Sequence, residues 1–163
     1  MIETQVQTKS AIGLKIGLAV LAFGVLAAAA YVNMIRTDQV EIKANGFTVM
    51  ADLARTETER AQGLAGRNDL AENRGMLFVY DGYFLPGFWM KGMNFPIDII
   101  WLKDGMVVGL VKNAPLASGA ELTSYQPPTF VNQVLELKAG FADRHQIKIG
   151  DKLEILGLNS IDI

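Results

Sequence analysis

Ile97–Leu102 reads IDIIWL and Met106–Val111 reads MVVGLV, with only Lys103-Asp104-Gly105 between them. A link of that length and composition folds the chain back on itself, so the two runs pair as antiparallel neighbours. Both are apolar on both faces, which predicts a central place in a sheet for each. Few folds can supply such cover without helices of their own. No long helical segment separates the strand-like runs here, so this reading excludes parallel βαβ units.

The other segments fit the same plan. Val40–Ala44 and Phe47–Leu53 flank Asn45-Gly46, a strong hairpin signal. Alternation in Phe47–Leu53 predicts one buried and one wet face. Thr56-Glu57-Thr58-Glu59 fits a capping box, with a short helix from Glu57 to about Gln62 that stops at Gly63. Met76–Tyr80 reads as a buried strand, and Asn113–Thr129 as a long connection. In the strand Phe130–Lys138, Leu135 and Leu137 oppose Val134, Glu136 and Lys138, so Glu136 is expected on the wet face. A helical turn over Ala139–His145 and a last strand Lys152–Leu156 complete the chain. The expected class is α+β: a mainly antiparallel curled sheet or partial β-barrel with one or two short helices, preceded by one N-terminal hydrophobic helix.

That hydrophobic helix is the other constraint. Ile16–Val32 is a run of 17 residues without a charge, bounded by Lys15. A spanning helix takes roughly 17–25 apolar residues, and Lys15 can snorkel to the interface. Residues 1–36 therefore read as a signal anchor. Alternatively they form a signal peptide, with Lys9 and Lys15 as its basic region and Ala28-Ala29-Ala30 as a small-residue cleavage site. A buried core helix fits poorly, because the run is apolar on every side. Both membrane readings carry residues 37–163, a single β-rich domain, out of the cytoplasm. The expected location is the inner membrane, single-pass, with the C-terminal domain extracytoplasmic; the alternative is a periplasmic or secreted domain after cleavage.

The chain has no cysteine, which excludes disulfides, thiolate metal sites and N-terminal lipoprotein acylation. Beyond residue 36 there remain 12 basic and 16 acidic residues, about −4 in charge, with no basic run. Nucleic acid is therefore disfavoured as a partner. The membrane, through the N-terminal helix, and an unknown small ligand or protein are the expected partners. The single histidine, His145, lacks companions for a metal site, and no cofactor motif is present.

Several blocks together resemble the domain-of-unknown-function 192 family, DUF192. They are Glu59-Arg60-x-x-Gly63-Leu64-x-x-Arg67, Gly75-Met76-Leu77-Phe78-Val79, Phe88-Trp89-Met90-Lys91 and Pro96-Ile97-Asp98-Ile99-Ile100. Val134-Leu135-Glu136-Leu137-x-Ala139-Gly140-Phe141-Ala142 and Lys148-Ile149-Gly150-Asp151 continue the pattern, so it spans roughly Val40–Leu156. The resemblance implies a compact β-rich domain, often behind a signal or anchor segment, and no established activity. The chain departs from the pattern at Ala65, where methionine is common, and at Gly92-Met93, where a polar pair is usual.

Chemistry is expected around Asp98, a lone acid inside an apolar strand. A buried carboxylate is costly unless paired or hydrogen-bonded. It serves either as an acid, base or ligand anchor, or as a structural group that ties down loop N–H groups. Trp89 and Lys91, two apart in an extended segment, point to one side and can offer a stacking face and a cation. Arg67 and Arg60 flank Gly63-Leu64 and can close on an anion or pair with a carboxylate. Trp89, Lys91, Asp98 and Arg67 are thus the candidate ligand-binding residues. Asp98 and Glu136 are the candidate catalytic pair. The leading expectation is a binding module; a hydrolase or isomerase using Asp98 with Glu136 or Lys91, or a purely structural accessory protein, are the alternatives.

Overall fold

The computed structural model describes residues 21–24, 38–44, 46–117 and 123–158. The anchor or signal reading of residues 1–36 lies outside them except at 21–24, which are helical. Among the described residues no helix is long and apolar enough to cross a membrane.

From Asp38 onward the chain forms β1 (Gln39–Ala44), β2 (Phe47–Ala54), α1 (Glu57–Gln62), β3 (Arg74–Phe84), β4 (Phe88–Trp89), β5 (Ile97–Lys103) and β6 (Met106–Ala114). These are followed by β7 (Ser124–Tyr125), β8 (Val131–Lys138), α2 (Phe141–Arg144) and β9 (Glu154–Leu156). Seven strands make one sheet in the order β6-β5-β8-β3-β2-β1-β9, and β4 pairs with β7 apart from it. The sheet curls until its outer strands meet. Met106 bridges Lys152, and Leu153 N–H donates to Gly105 C=O at 2.8 Å. The mainly antiparallel, β-rich, curled architecture is the one expected.

Local chemistry sets the element ends. Thr56 Oγ1 accepts from Glu59 N–H at 3.2 Å, and Glu59 Oε2 accepts from Thr56 N–H at 2.9 Å. This is the expected capping box, and α1 stops at Gly63, which takes a positive φ of 51° with ψ −137° rather than the left-handed helical cap expected. The hairpin of β1 and β2 closes in register from Ala44 opposite Phe47 to Gln39 opposite Asp52.

Two expectations need correction. β2 and β3 pair in parallel, Met50 opposite Arg74 through Ala54 opposite Phe78. A parallel pair needs a crossover of about a dozen residues or more, and Arg55–Asn73 supplies one with only six residues of helix. β6 is not central but ends the sheet order. Its edge is capped by the segment from Gly150 to Leu153, with Val107 N–H donating to Asp151 C=O at 2.9 Å.

The sheet is buried on both faces. One face carries Leu77, Ile100, Leu102, Leu135 and Leu137, closed over by Phe141 and Ala142 of α2. The other carries Met76, Phe78, Ile99, Trp101 and Val134, covered by Leu64, Leu70, Phe88, Met90 and Phe95. Every residue of β8 except Lys138 is buried. Its polar members Asn132 and Gln133 accept from Asp104 and Gly105 N–H, fixing the β5–β6 turn.

Candidate functional site

Asp98 on β5 sits opposite Leu137 of β8, while Glu136 sits opposite Ile99. Side chains alternate along a strand, so the two carboxylates point to opposite faces of the sheet and share no cleft. That removes the geometry for an Asp98–Glu136 acid–base pair.

Asp98 is fully buried among the residues under α2. Its Oδ1 accepts from Asn113 N–H at 2.7 Å and Gly140 N–H at 3.2 Å, and its Oδ2 accepts from Ala142 N–H at 2.8 Å. Asn113 and Gly140 both hold positive φ, 53° and 81°. The carboxylate thus gathers the end of β6 and the start of α2 onto the sheet. These contacts are of the kind described by the structural reading, a carboxylate that ties down loop N–H groups.

Glu136 has the opposite character. It is buried, and Oε2 has no hydrogen-bond partner among the described residues. Burial pushes its carboxyl up to about 8, against the charge of Arg67, which draws it down. At neutral pH the side chain is therefore mostly a neutral acid, carrying one O–H donor and a free acceptor. The wet-face position expected for it is wrong, because loop residues cover that face too.

A cleft of about 80 Å³ opens onto Glu136. Phe78, Tyr80, Phe88 and Trp89 supply its aromatic walls, and Arg60, Gly63, Ala65, Lys91 and Met93 also line it. Phe88 meets Phe78 edge-to-face, ring centres 4.9 Å apart. Trp89 and Lys91 alternate with buried Phe88 and Met90, so they share the exposed side of the segment as expected. Trp89 is 55% exposed and so is not a core residue. Arg60 lies over the Tyr80 ring, 4.9 Å from its centre, and donates to Val79 C=O at 3.1 Å. Burial pushes the Tyr80 hydroxyl up to about 12; Glu136 adds to this and Arg60 opposes it.

Space for the cleft depends on Gly63. A Cβ there would lie 3.3 Å from the Phe78 ring and 4.0 Å from Glu136 Oε2. The two departures from the family pattern meet at the rim, where Gly66 N–H donates to Gly92 C=O at 2.9 Å. A Cβ on Gly92 would touch that of Ala65 at 3.4 Å. Small residues at both positions leave that rim low.

Arg67 does not line the cleft. It pairs with Asp52 at 2.8 Å, and Asp52 also binds Arg74 at 3.0 Å and Gln39 at 2.8 Å. Asp52 is itself buried, at the end of a row with Met76 and Glu136 across β2, β3 and β8. Sequence reasoning missed Asp52 and assigned Glu136 to solvent. The available signal was that each follows or precedes residues apolar on both faces. His145 stacks on Phe141, ring centres 4.2 Å apart, and no cluster of metal-ligating side chains occurs among the described residues.

A family model described as DUF192, an uncharacterized ACR, matches residues 40–155. No curated protein matches the chain. Two crystal structures are similar. One is of a Sinorhizobium meliloti 1021 protein provisionally described as a transcription regulator, with 30% identity and TM-score 0.66, covering 74% of this chain and 96% of that one. The other is of a Novosphingobium aromaticivorans DSM 12444 protein of unknown function, with 31% identity and TM-score 0.64, covering 72% of this chain and 84% of that one.

Proposed function

The chain belongs to the DUF192 family, whose description names no activity, and on that premise we propose from the site itself that the domain is a small-ligand binding module. The observation that carries this is Glu136: a buried carboxyl whose Oε2 has no hydrogen-bond partner among the described residues, lining an open cleft. An unpaired buried polar group costs about 1–3 kcal/mol, and a ligand that pairs with it recovers that cost. Trp89 offers a flat, half-exposed face for stacking, and Lys91 a cation at the mouth. The chemistry suits a small, neutral, hydroxyl- or amide-bearing molecule with one apolar face, such as a sugar or a cyclic amide.

The domain is held at the membrane by the apolar run Ile16–Val32 and faces out of the cytoplasm; release after signal cleavage is the alternative. The regulator description of the Sinorhizobium relative is not adopted for this chain, whose acidic balance favours no phosphate backbone. A second reading is a hydrolase or isomerase in which Glu136 acts as general acid beside Lys91. It is favoured by the same carboxyl remaining protonated near neutral pH.

The test is a melting screen of the full chain at pH 6 against neutral sugars and cyclic amides. At least one compound is expected to raise Tm in the wild type and to lose that effect in Glu136→Leu. If no compound moves the wild type, the binding module is refuted.

A further inference from the structure

Tyr83, Phe84, Leu85 and Phe130 are each about half exposed, at 49%, 49%, 48% and 55%. Phe84 pairs with Val131 at the end of the main sheet, so these residues form one lip at that end. Tyr83 and Phe84 are neighbours in β3 and so point to opposite faces; both faces of the lip therefore present apolar groups. A lip with two apolar faces has no single core to turn towards.

Strand directions show what lies opposite it. β3 runs parallel to β2, with Phe78 level with Ala54, and then continues to Phe84. An irregularity between Val79 and Phe84 lets β8 advance only from Gln133 to Val131, so the lip extends beyond the end of β2 by ~10 Å at the usual rise. β1 runs antiparallel to β2, with Gln39 level with Asp52. Asp38, which leads into β1, thus lies at the end of the domain at which the lip protrudes. Only five residues separate the apolar run Ile16–Val32 from Asp38 in sequence, a reach of at most ~22 Å.

We infer that the lip rests in the surface of the phospholipid bilayer that holds the tether. This goes beyond the cleft and rests on the anchor reading of residues 1–36. A tether this short makes the second contact intramolecular, so weak apolar insertion is enough. Tyr and Phe are residue types that sit well at a bilayer interface. Asp81 is exposed beside the lip, and Asp104 accepts from the Tyr83 hydroxyl at 2.9 Å. Lys103 lies over the Tyr83 ring. Two acids against one lysine give these surroundings no positive charge, so the contact is apolar and needs no anionic lipid.

The chain has no cysteine, so one introduced thiol reports one place. The full chain as Leu85→Cys, and separately as Thr48→Cys at the far end of β2, is labelled with an environment-sensitive dye. Each is reconstituted into phosphatidylcholine vesicles carrying nitroxide acyl chains. Flotation reports the tether and quenching reports the lip. The expected result is that both variants float, and that quenching is several-fold stronger at Leu85→Cys. Equal quenching in floating samples overturns the lip contact and leaves the tether standing. Failure to float overturns the tether, and the lip with it. A Leu85→Cys dye already shielded without vesicles overturns the bilayer as occupant, in favour of a second protein surface.

Discussion

Replacing Glu136 with glutamine tests the central claim about the cleft. Glutamine keeps the shape of the protonated acid and cannot ionise. The folded carboxyl sits at about 8, against an ordinary value of 4.5. A raised acid binds its proton more tightly folded than unfolded, so its contribution to stability is complete below pH 4.5. It falls as pH rises and is lost once pH passes 8. One proton corresponds to about 1.4 kcal/mol per pH unit across that window, for a total of at most about 5 kcal/mol. Urea denaturation of the full chain, followed by tryptophan fluorescence, gives the profile, since Trp89 and Trp101 both lie in the β domain. Wild type and Glu136→Gln are expected to match near pH 5 and to diverge steadily, with the variant several kcal/mol more stable at pH 9. Glu59 and Asp69, whose carboxyls are held low by backbone N–H groups, cancel in the difference. Parallel profiles from pH 5 to 9 would refute the reasoning, because they would mean the carboxylate is already ionised and compensated.

Three further outcomes follow from the same geometry. Asp98→Asn is expected to lower stability by about 3 kcal/mol in urea, since three N–H groups lose a charged acceptor. Ligand binding per folded molecule should be unchanged, because Asp98 faces away from the cleft. Trp89→Ala should leave stability within about 0.5 kcal/mol, as for a surface residue. Calorimetry with any compound from the melting screen should show about 0.5–1.5 kcal/mol of lost affinity. Gly63→Ala should cost about 1–2 kcal/mol for its positive φ, and the Phe78 contact should make the same variant lose ligand binding.

Much of the fold could be read from local chemistry. Thr56 and Glu59 marked a helix start, Asn45-Gly46 a hairpin and Lys103-Asp104-Gly105 a second one, because each signal acts within a few residues. The β2–β3 pairing escaped for a different reason. Excluding parallel strands for want of a long helix mistook one common crossover for the requirement itself. What a parallel pair needs is length, and Arg55–Asn73 has it with a six-residue helix and a loop. β6 escaped because an apolar strand can be covered at the edge of a curled sheet when a later segment, here Gly150–Leu153, closes over it.

The two acids show where pattern reading stops. Asp98 and Glu136 lie on adjacent strands, each flanked by apolar residues, and nothing in either segment says which carboxyl meets donors. The answer comes from loops distant in sequence. Asn113 and Gly140 adopt positive φ and, with Ala142, turn three N–H groups onto Asp98. Around Glu136, β3 and β4 bring aromatic rings and α1 brings Arg60, whose guanidinium is spent on backbone carbonyls and the Tyr80 face. Arg67, whose charge draws the Glu136 carboxyl down, is committed to Asp52. An acid satisfied three times over is a structural pin. An acid left unsatisfied beneath an open cleft must either find a ligand or hold its proton, and both behaviours can be measured at Glu136.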